Sequence, residues 1–389
     1  MQAEIYIKEY HRFREAAFNS RFLKHHAMID LLQKLPADFE RTPVGKSYHG
    51  REIHLIKWGK GKTKVFLWSQ MHGDEATGTM ALFDLFNFLQ DENHAQLGTL
   101  LATQCTLYFM PMVNPDGAEK FSRRNAQQID INRDFHQTVT PEASLLKSIR
   151  ASLSPDFGFN LHDQSTLWSV KNTGSPASLS YLAPAFDEAV NVNEVRKKAM
   201  LVIADMHQTV SHFLPHQIGL FDDEYEPRAF GDNFQAAGTS TILIEAGGLQ
   251  GDEEKQEIRK YFFLSILSGL HSISTKAYTL QDLAHYHAIP KNNKEIFHIL
   301  IKDLVHQQTP LSIGISYEEE ALDGGDATEK CYIIKDIGDL NRLGAYHVYE
   351  GQTLEIEGQI EIYKPADFRL KAGSEIILAF KNGFLQSKV

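Results

Sequence analysis

The stretch Lys64-Val-Phe-Leu-Trp-Ser-Gln-Met-His72-Gly-Asp-Glu75-Ala-Thr-Gly decides the reading of this chain. Its β-branched and aromatic run predicts a strand, and the turn after it leads into a helical pattern from about Ala76 to Asp91, with Leu82, Leu85, Phe86 and Leu89 at helical spacing. His72 and Glu75 therefore leave a strand end together, where an imidazole nitrogen and a carboxylate are able to converge on one cation. A His-x-x-Glu pair alone says little, because exposed His and Glu at that spacing recur in any acidic chain.

Two further strand ends give the pair its weight. Asp156-Phe-Gly-Phe-Asn-Leu-His162 puts a second histidine at the end of another short apolar run. His72, Glu75 and His162 then form a set of nitrogen and oxygen ligands with a coordination place left for water, the open arrangement of a catalytic zinc; a structural site fills all its places and favours thiolates. The two cysteines, Cys105 and Cys331, belong to neither cluster. Water activated by a metal needs a proton acceptor, and Thr241-Ile-Leu-Ile-Glu245-Ala-Gly-Gly248 ends a buried-strand pattern on a carboxylate suited to that task. A lone Glu after a strand ordinarily turns into solvent; Glu245 is read otherwise because it is one of several polar strand ends.

The segment from Met112 to Phe135 carries Asn114-Pro-Asp-Gly, a turn signal, then Arg123-Arg124-Asn125 and Asp130-Ile-Asn132-Arg133-Asp134-Phe135. With these pieces in hand the chain resembles the carboxypeptidase A-like zinc metallocarboxypeptidases: HGDE, NPDG, RRN, DINRDF, a strand-end His and a strand-end Glu follow one another in that family's order over roughly residues 45–275. The resemblance implies one zinc per chain on His72, Glu75 and His162, with Glu245 as general base. It implies Arg123, or its neighbour Arg124, as the group that polarises the scissile carbonyl, with the register to Asn125 favouring Arg123. It implies Asn132 and Arg133 as the clamp on a substrate's terminal carboxylate, a task for which a planar guanidinium is suited. Tyr225 is the match for a substrate-capping tyrosine, with Tyr181 as an alternative. Gln128 stands where the family commonly has Gly, and Asp134 replaces a familiar Asn, placing an extra carboxylate beside the clamp.

The implied activity is hydrolysis of the C-terminal peptide bond of a peptide. The alternative is a zinc deacylase of an N-acyl amino acid, similar to succinylglutamate desuccinylase and aspartoacylase, which share the HxxE and strand-end His. A peptide or N-acyl amino acid is therefore the expected partner. Nucleic acid is not, since the net charge is -11 and no long basic run occurs. No basic region followed by an apolar run opens the chain and no long apolar span occurs, so no membrane partner and a cytoplasmic location are expected. The scarcity of cysteine agrees with a reducing compartment.

The 389 residues read as two units. Residues 1–275 are expected to form an α/β catalytic domain, a doubly wound mixed, mostly parallel sheet with helices on both faces, preceded by a mainly helical segment over residues 5–34. The stretch from His162 to Val190, rich in Ser, Asn, Gly and Pro and carrying Trp168 and Tyr181, reads as an active-site loop. Residues 276–389 are expected to form a small β-rich accessory domain that takes no part in the chemistry, with helices over 280–288 and 295–304, then short strands, and a solvated acidic loop over 318–329.

Overall fold

The computed structural model describes residues 1–306, 309–351 and 353–386. The strands are β1 (Glu40–Lys46), β2 (Glu52–Gly59), β3 (Thr63–Ser69), β4 (Cys105–Met110), β5 (Phe157–Asp163), β6 (Ser169–Val170), β7 (Leu179–Leu182), β8 (Ile218–Leu220) and β9 (Ser240–Ala246). All but β6 join one eight-stranded sheet in the order β1-β2-β4-β3-β5-β9-β7-β8. Its centre, β4-β3-β5-β9, is parallel, and its flanks bring in antiparallel pairings.

The unbroken apolar run in β3 follows from cover on both faces. Val65 and Leu67 join the core that also holds Phe86 and Phe263, while Phe66 and Trp68 join the opposite core with Leu146 and Phe234. The helices Thr77–Gln90, Glu194–Val210 and Gln256–Thr275 supply the first face; Pro141–Leu153 and Phe230–Ala236 supply the second. From β3 the chain passes to β4 on one side, and from β4 it returns to β5 on the other. β3 is thus the strand at which the winding reverses, and a crevice opens beyond its carboxyl end.

The N-terminal segment departs from the helical expectation. Only Ala3–Lys8 and His25–Leu32 are α-helical, and the chain between them is pinned by side-chain chemistry. The Arg259 guanidinium, fully buried, donates to Asp84 and to the carbonyl oxygens of Phe18 (2.6 Å) and Glu15 (3.1 Å), while Tyr10 donates to Asp84 at 2.6 Å. The stretch after His162 is also more ordered than a loop: β7 runs through it and pairs with β9 in the main sheet.

Beyond residue 275 the boundary shifts. Tyr286 and Ile289 still pack on the large core and β10 (Asn292–Asn293) pairs with β6, so the second unit begins later than expected, at β11 (Ile296–His306). The helix expected over 295–304 is therefore a strand; Ile299, Ile301 and Leu304 feed a sheet core, which β pairing selects over a short apolar helix. β12 (Thr309–Ala321), β13 (Thr328–Gly338) and β14 (Gly344–Glu350) complete a four-stranded sheet, and β15 (Leu354–Gln359), β16 (Asp367–Ala372), β17 (Glu375–Lys381) and β18 (Phe384–Leu385) form a second. Most of the acidic loop is hairpin: Glu318–Ala321 pair with Thr328–Cys331. Among the described residues no helix is long and apolar enough to cross a membrane.

Candidate metal centre and cleft

The carboxyl ends of β3, β5 and β9 assemble the site. Directly after β3, buried Gln70 turns the chain with φ 49°, a left-handed conformation stabilised by its own side chain, which donates to Gly73 O at 2.9 Å and accepts from Thr79 at 2.9 Å. Gly73, three residues on, is required to be glycine because a Cβ there would stand 2.0 Å from the backbone of Gly117. The turn delivers His72 and Glu75 against His162, the second-last residue of β5. Pairing of β5 with β9 sets His162 level with Glu245.

Ligand atoms of His72, Glu75 and His162 lie within 4.8 Å of one another, and all three side chains are buried. The Nδ1 atoms of both histidines face the Glu75 carboxylate, each 2.7 Å from one of its oxygens. His72 Nε2 meets Asp130 Oδ1 at 3.1 Å. Burial alone would push His72 down, but Glu75 and Asp130 raise it to about 9. Burial would likewise raise Glu75, yet the two histidines hold its carboxyl well below the usual carboxylate range. His162 Nε2 has no hydrogen-bond partner among the described residues. Converging imidazoles around a buried carboxylate, with negative charge from Asp130 behind, form a donor set that fits a zinc ion.

Arg123 reaches the same cluster. Its Nε donates to Asp130 Oδ2 at 3.1 Å and its Nη1 to Glu75 Oε1 at 3.2 Å, with the guanidinium half-exposed to the cleft. Arg124 instead donates to Gln128 O at 2.9 Å on the outside, which separates the two adjacent arginines. Gln128 adopts φ 62°, the conformation that makes Gly common at this turn. Asp130 is the residue sequence reasoning passed over. It lay inside the DINRDF motif, but only the fold shows one carboxylate bracing His72 and Arg123 together while accepting from Asn132 N at 2.9 Å.

Glu245 is buried, and its Oε2 has no partner among the described residues. Burial, reinforced by the charges of Glu75 and Asp163, pushes its carboxyl well above the usual range, against the pull of Arg123 and Lys255. Lys255 sits fully buried beneath, donating to Ala246 O at 3.2 Å and to Gly247 O.

A cavity of about 510 Å³ opens beside the cluster, lined by His72, Glu245, Asn132, Arg133, Tyr225 and Trp168 among others. Asn132 Oδ1 accepts from Phe230 N at 2.9 Å, which leaves its amide N–H groups for a ligand. Asp134 does not touch Arg133: it turns away to accept from Val139 N, Thr140 N and Thr140 Oγ1 at 2.8–2.9 Å. The carboxylate beside Arg133 is Glu226, with Oε2 3.0 Å from its Nε, a contact between segments far apart in sequence. Tyr225 stands on the cavity wall, partly exposed. Tyr181 is excluded as its substitute, since it is buried in the core with its hydroxyl 2.7 Å from Ser265 Oγ.

Residues 25–152 match the family model described as zinc carboxypeptidase, and the doubly wound fold is similar to that of solved metallo-carboxypeptidases. Carboxypeptidase SOL1 of Arabidopsis thaliana is 36% identical over 122 residues, 30% of this chain and 25% of that protein. The human carboxypeptidase N catalytic chain is 26% identical over 140 residues, 29% of this chain and 31% of that one. The match thus spans about a quarter to a third of each curated relative. Among solved structures, a metallo-carboxypeptidase from Burkholderia cenocepacia superposes with TM-score 0.54 at 16% identity, covering 65% of this chain and 69% of its own. Bovine thrombin-activatable fibrinolysis inhibitor, solved with tick carboxypeptidase inhibitor, gives TM-score 0.54 at 13% identity over 68% of this chain and 99% of its own. At these identities the structural likeness establishes the fold.

Proposed function

We propose that the protein is a zinc-dependent metallocarboxypeptidase that hydrolyses the C-terminal peptide bond of a peptide. The observation that carries this reading is the placement of a buried Glu245, its Oε2 without a partner among the described residues, and a half-exposed Arg123 around the His72–Glu75–His162 cluster, with Arg133 across the adjoining cavity. Zinc bound there supplies Lewis acidity toward a water molecule and a carbonyl oxygen. Glu245 takes the proton from the attacking water and passes it to the nitrogen of the leaving amino acid. Arg123 donates hydrogen bonds to the scissile carbonyl as its oxygen gains negative charge, and Asp130 holds that guanidinium in place. Asn132 and Arg133 bind the terminal carboxylate, which sets the reaction at the last peptide bond, and Tyr225 covers the bound residue. A cytoplasmic location is supported by the two free cysteines, Cys105 and Cys331.

The test is incubation of the zinc-loaded protein with a peptide library and an N-acyl amino acid library, followed by mass spectrometry. Release of single C-terminal residues is expected. Release of acyl groups with peptides left intact would replace the carboxypeptidase reading by the deacylase.

A further inference from the structure

The β12–β13 hairpin presents one face to the catalytic unit. Strand alternation puts Tyr317, Glu319 and Ala321 on that face, and the register sets them opposite Tyr332, Lys330 and Thr328. Glu318, one residue out of phase, points away and pairs with Lys335. The face is latched at both ends. Arg21 grips Glu319 with both terminal nitrogens, one at 3.0 Å, and Lys24 donates to Gly324 O (3.1 Å) and Gly325 O (2.9 Å) at the hairpin tip. At the other end the His298 ring stacks on Tyr317 with centroids 3.6 Å apart and its Nε2 meets Thr166 Oγ1 at 2.9 Å, while Tyr346 donates to Thr166 O at 2.6 Å.

Between this face and the metal centre lies a second cavity, about 390 Å³, with Glu75, Arg123 and Asp163 on one side and Tyr317, Glu319 and Ala321 on the other. The cavity that holds Arg133 and the cavity beneath the hairpin share Glu75, Arg123 and Ser165 in their walls. The metal centre therefore sits between two chambers, and Arg133 belongs to one of them. A substrate with its terminal carboxylate on Arg133 and its scissile carbonyl at Arg123 has to run its N-terminal portion into the other chamber, whose far wall is the hairpin.

We propose that the C-terminal β unit is a specificity element of the enzyme: the Tyr317–Glu319–Ala321 face binds the residues that precede the scissile bond and restricts the substrate to short peptides. This rests on the carboxypeptidase reading above. It overturns the expectation that residues 276–389 stand apart from the cleft, because a sheet face carrying Glu, Lys, Thr and Tyr reads in sequence as solvated and is in fact turned toward the active site.

The experiment compares kcat/KM of the zinc-loaded full chain on three substrates with one common C-terminal residue: an N-formyl dipeptide, a tetrapeptide and an unstructured protein tail. The two peptides are expected to be cleaved and the tail at least 100-fold more slowly. Ala321→Trp, at an exposed position where bulk fills the chamber rather than the core, is expected to lower the tetrapeptide's kcat/KM at least tenfold relative to the formyl dipeptide's. Glu319→Gln, which loosens the Arg21 latch, is expected to narrow the gap between tetrapeptide and tail. Equal cleavage of short and long substrates, or a tetrapeptide-to-dipeptide ratio unmoved by Ala321→Trp, overturns the proposal alone. Cleavage of none of the three by the unaltered protein refutes the carboxypeptidase reading and the proposal with it.

Discussion

Glu226→Gln and Arg133→Ala, taken together, test the proposed carboxylate clamp. Arg133 is engaged, with Nε 3.0 Å from Glu226 Oε2, and Arg228 holds the same carboxylate through Nε at 2.9 Å and Nη2 at 2.8 Å. On the proposed function, a substrate carboxylate has to displace Glu226 or share Arg133 with it. The Arg133 and Glu226 side chains are 38% and 27% exposed, a setting in which an ion pair contributes about 0–1 kcal/mol. Removing the charge of Glu226 should therefore lower KM for free-acid substrates by at most about fivefold, the equivalent of about 1 kcal/mol. The competition is not relieved by mild acid, because the Arg228 hydrogen bonds hold the Glu226 carboxyl down at about 2, so it stays ionised until the pH falls to that value. If Arg133 binds the terminal carboxylate as proposed, Arg133→Ala removes charge-assisted bonds worth about 1.5–3 kcal/mol and should reduce kcat/KM on free acids by about 10- to 150-fold. The estimate lies below that for a fully desolvated pair because the guanidinium is partly in water. Initial rates on a peptide and its C-terminal amide provide the assay: the amide should be a poor substrate and respond to neither change. If Glu226→Gln raises KM for the free acid, or if Arg133→Ala affects acid and amide alike, the clamp is not built as described.

His72→Ala and His162→Ala should each abolish binding of the single zinc in metal analysis; full-strength binding in either variant removes that histidine from the ligand set. Glu245→Gln should keep the metal and lose more than about 100-fold in turnover, since an amide accepts no proton; near-normal turnover would exclude Glu245 as the base. Asp130→Asn should weaken zinc affinity by about 10- to 100-fold through loss of the carboxylate behind His72, read by competition with a chromogenic chelator, and unchanged affinity would show that His72 needs no such brace. Arg259→Met strands Asp84 as a buried, unpaired carboxylate beneath the N-terminal segment and should cost about 3–5 kcal/mol of stability in urea unfolding; a loss under about 1 kcal/mol would mean that water or another group compensates the charge.

The sequence by itself determined the parts of this protein that depend on local pattern. The apolar run of β3 with its helical sequel, and the similar runs ending at His162 and Glu245, are legible because a strand covered on both faces must be continuously apolar, and polar residues that interrupt it mark its end. The candidate ligands were named from those ends, and the fold brings His72, Glu75 and His162 within 4.8 Å of one another. Tertiary structure decided everything that depends on which distant segments meet. It put Arg123 rather than Arg124 beside Asp130, turned Asp134 away from Arg133 and put Glu226 in its place, and sent Tyr181 into the core where its hydroxyl finds Ser265. It made a strand of Ile296–His306, whose short apolar run fits helix or strand equally until β12 and β14 pair with it. The largest divergence is the β12–β13 hairpin. Its alternating charged and aromatic residues carry no local mark of where they face, and only the contacts of Glu319 with Arg21 and of the hairpin tip with Lys24 bring that face to the cleft. Local periodicity encodes the elements and their ends; long-range pairing of polar groups, which has no period, is what closes the site around them.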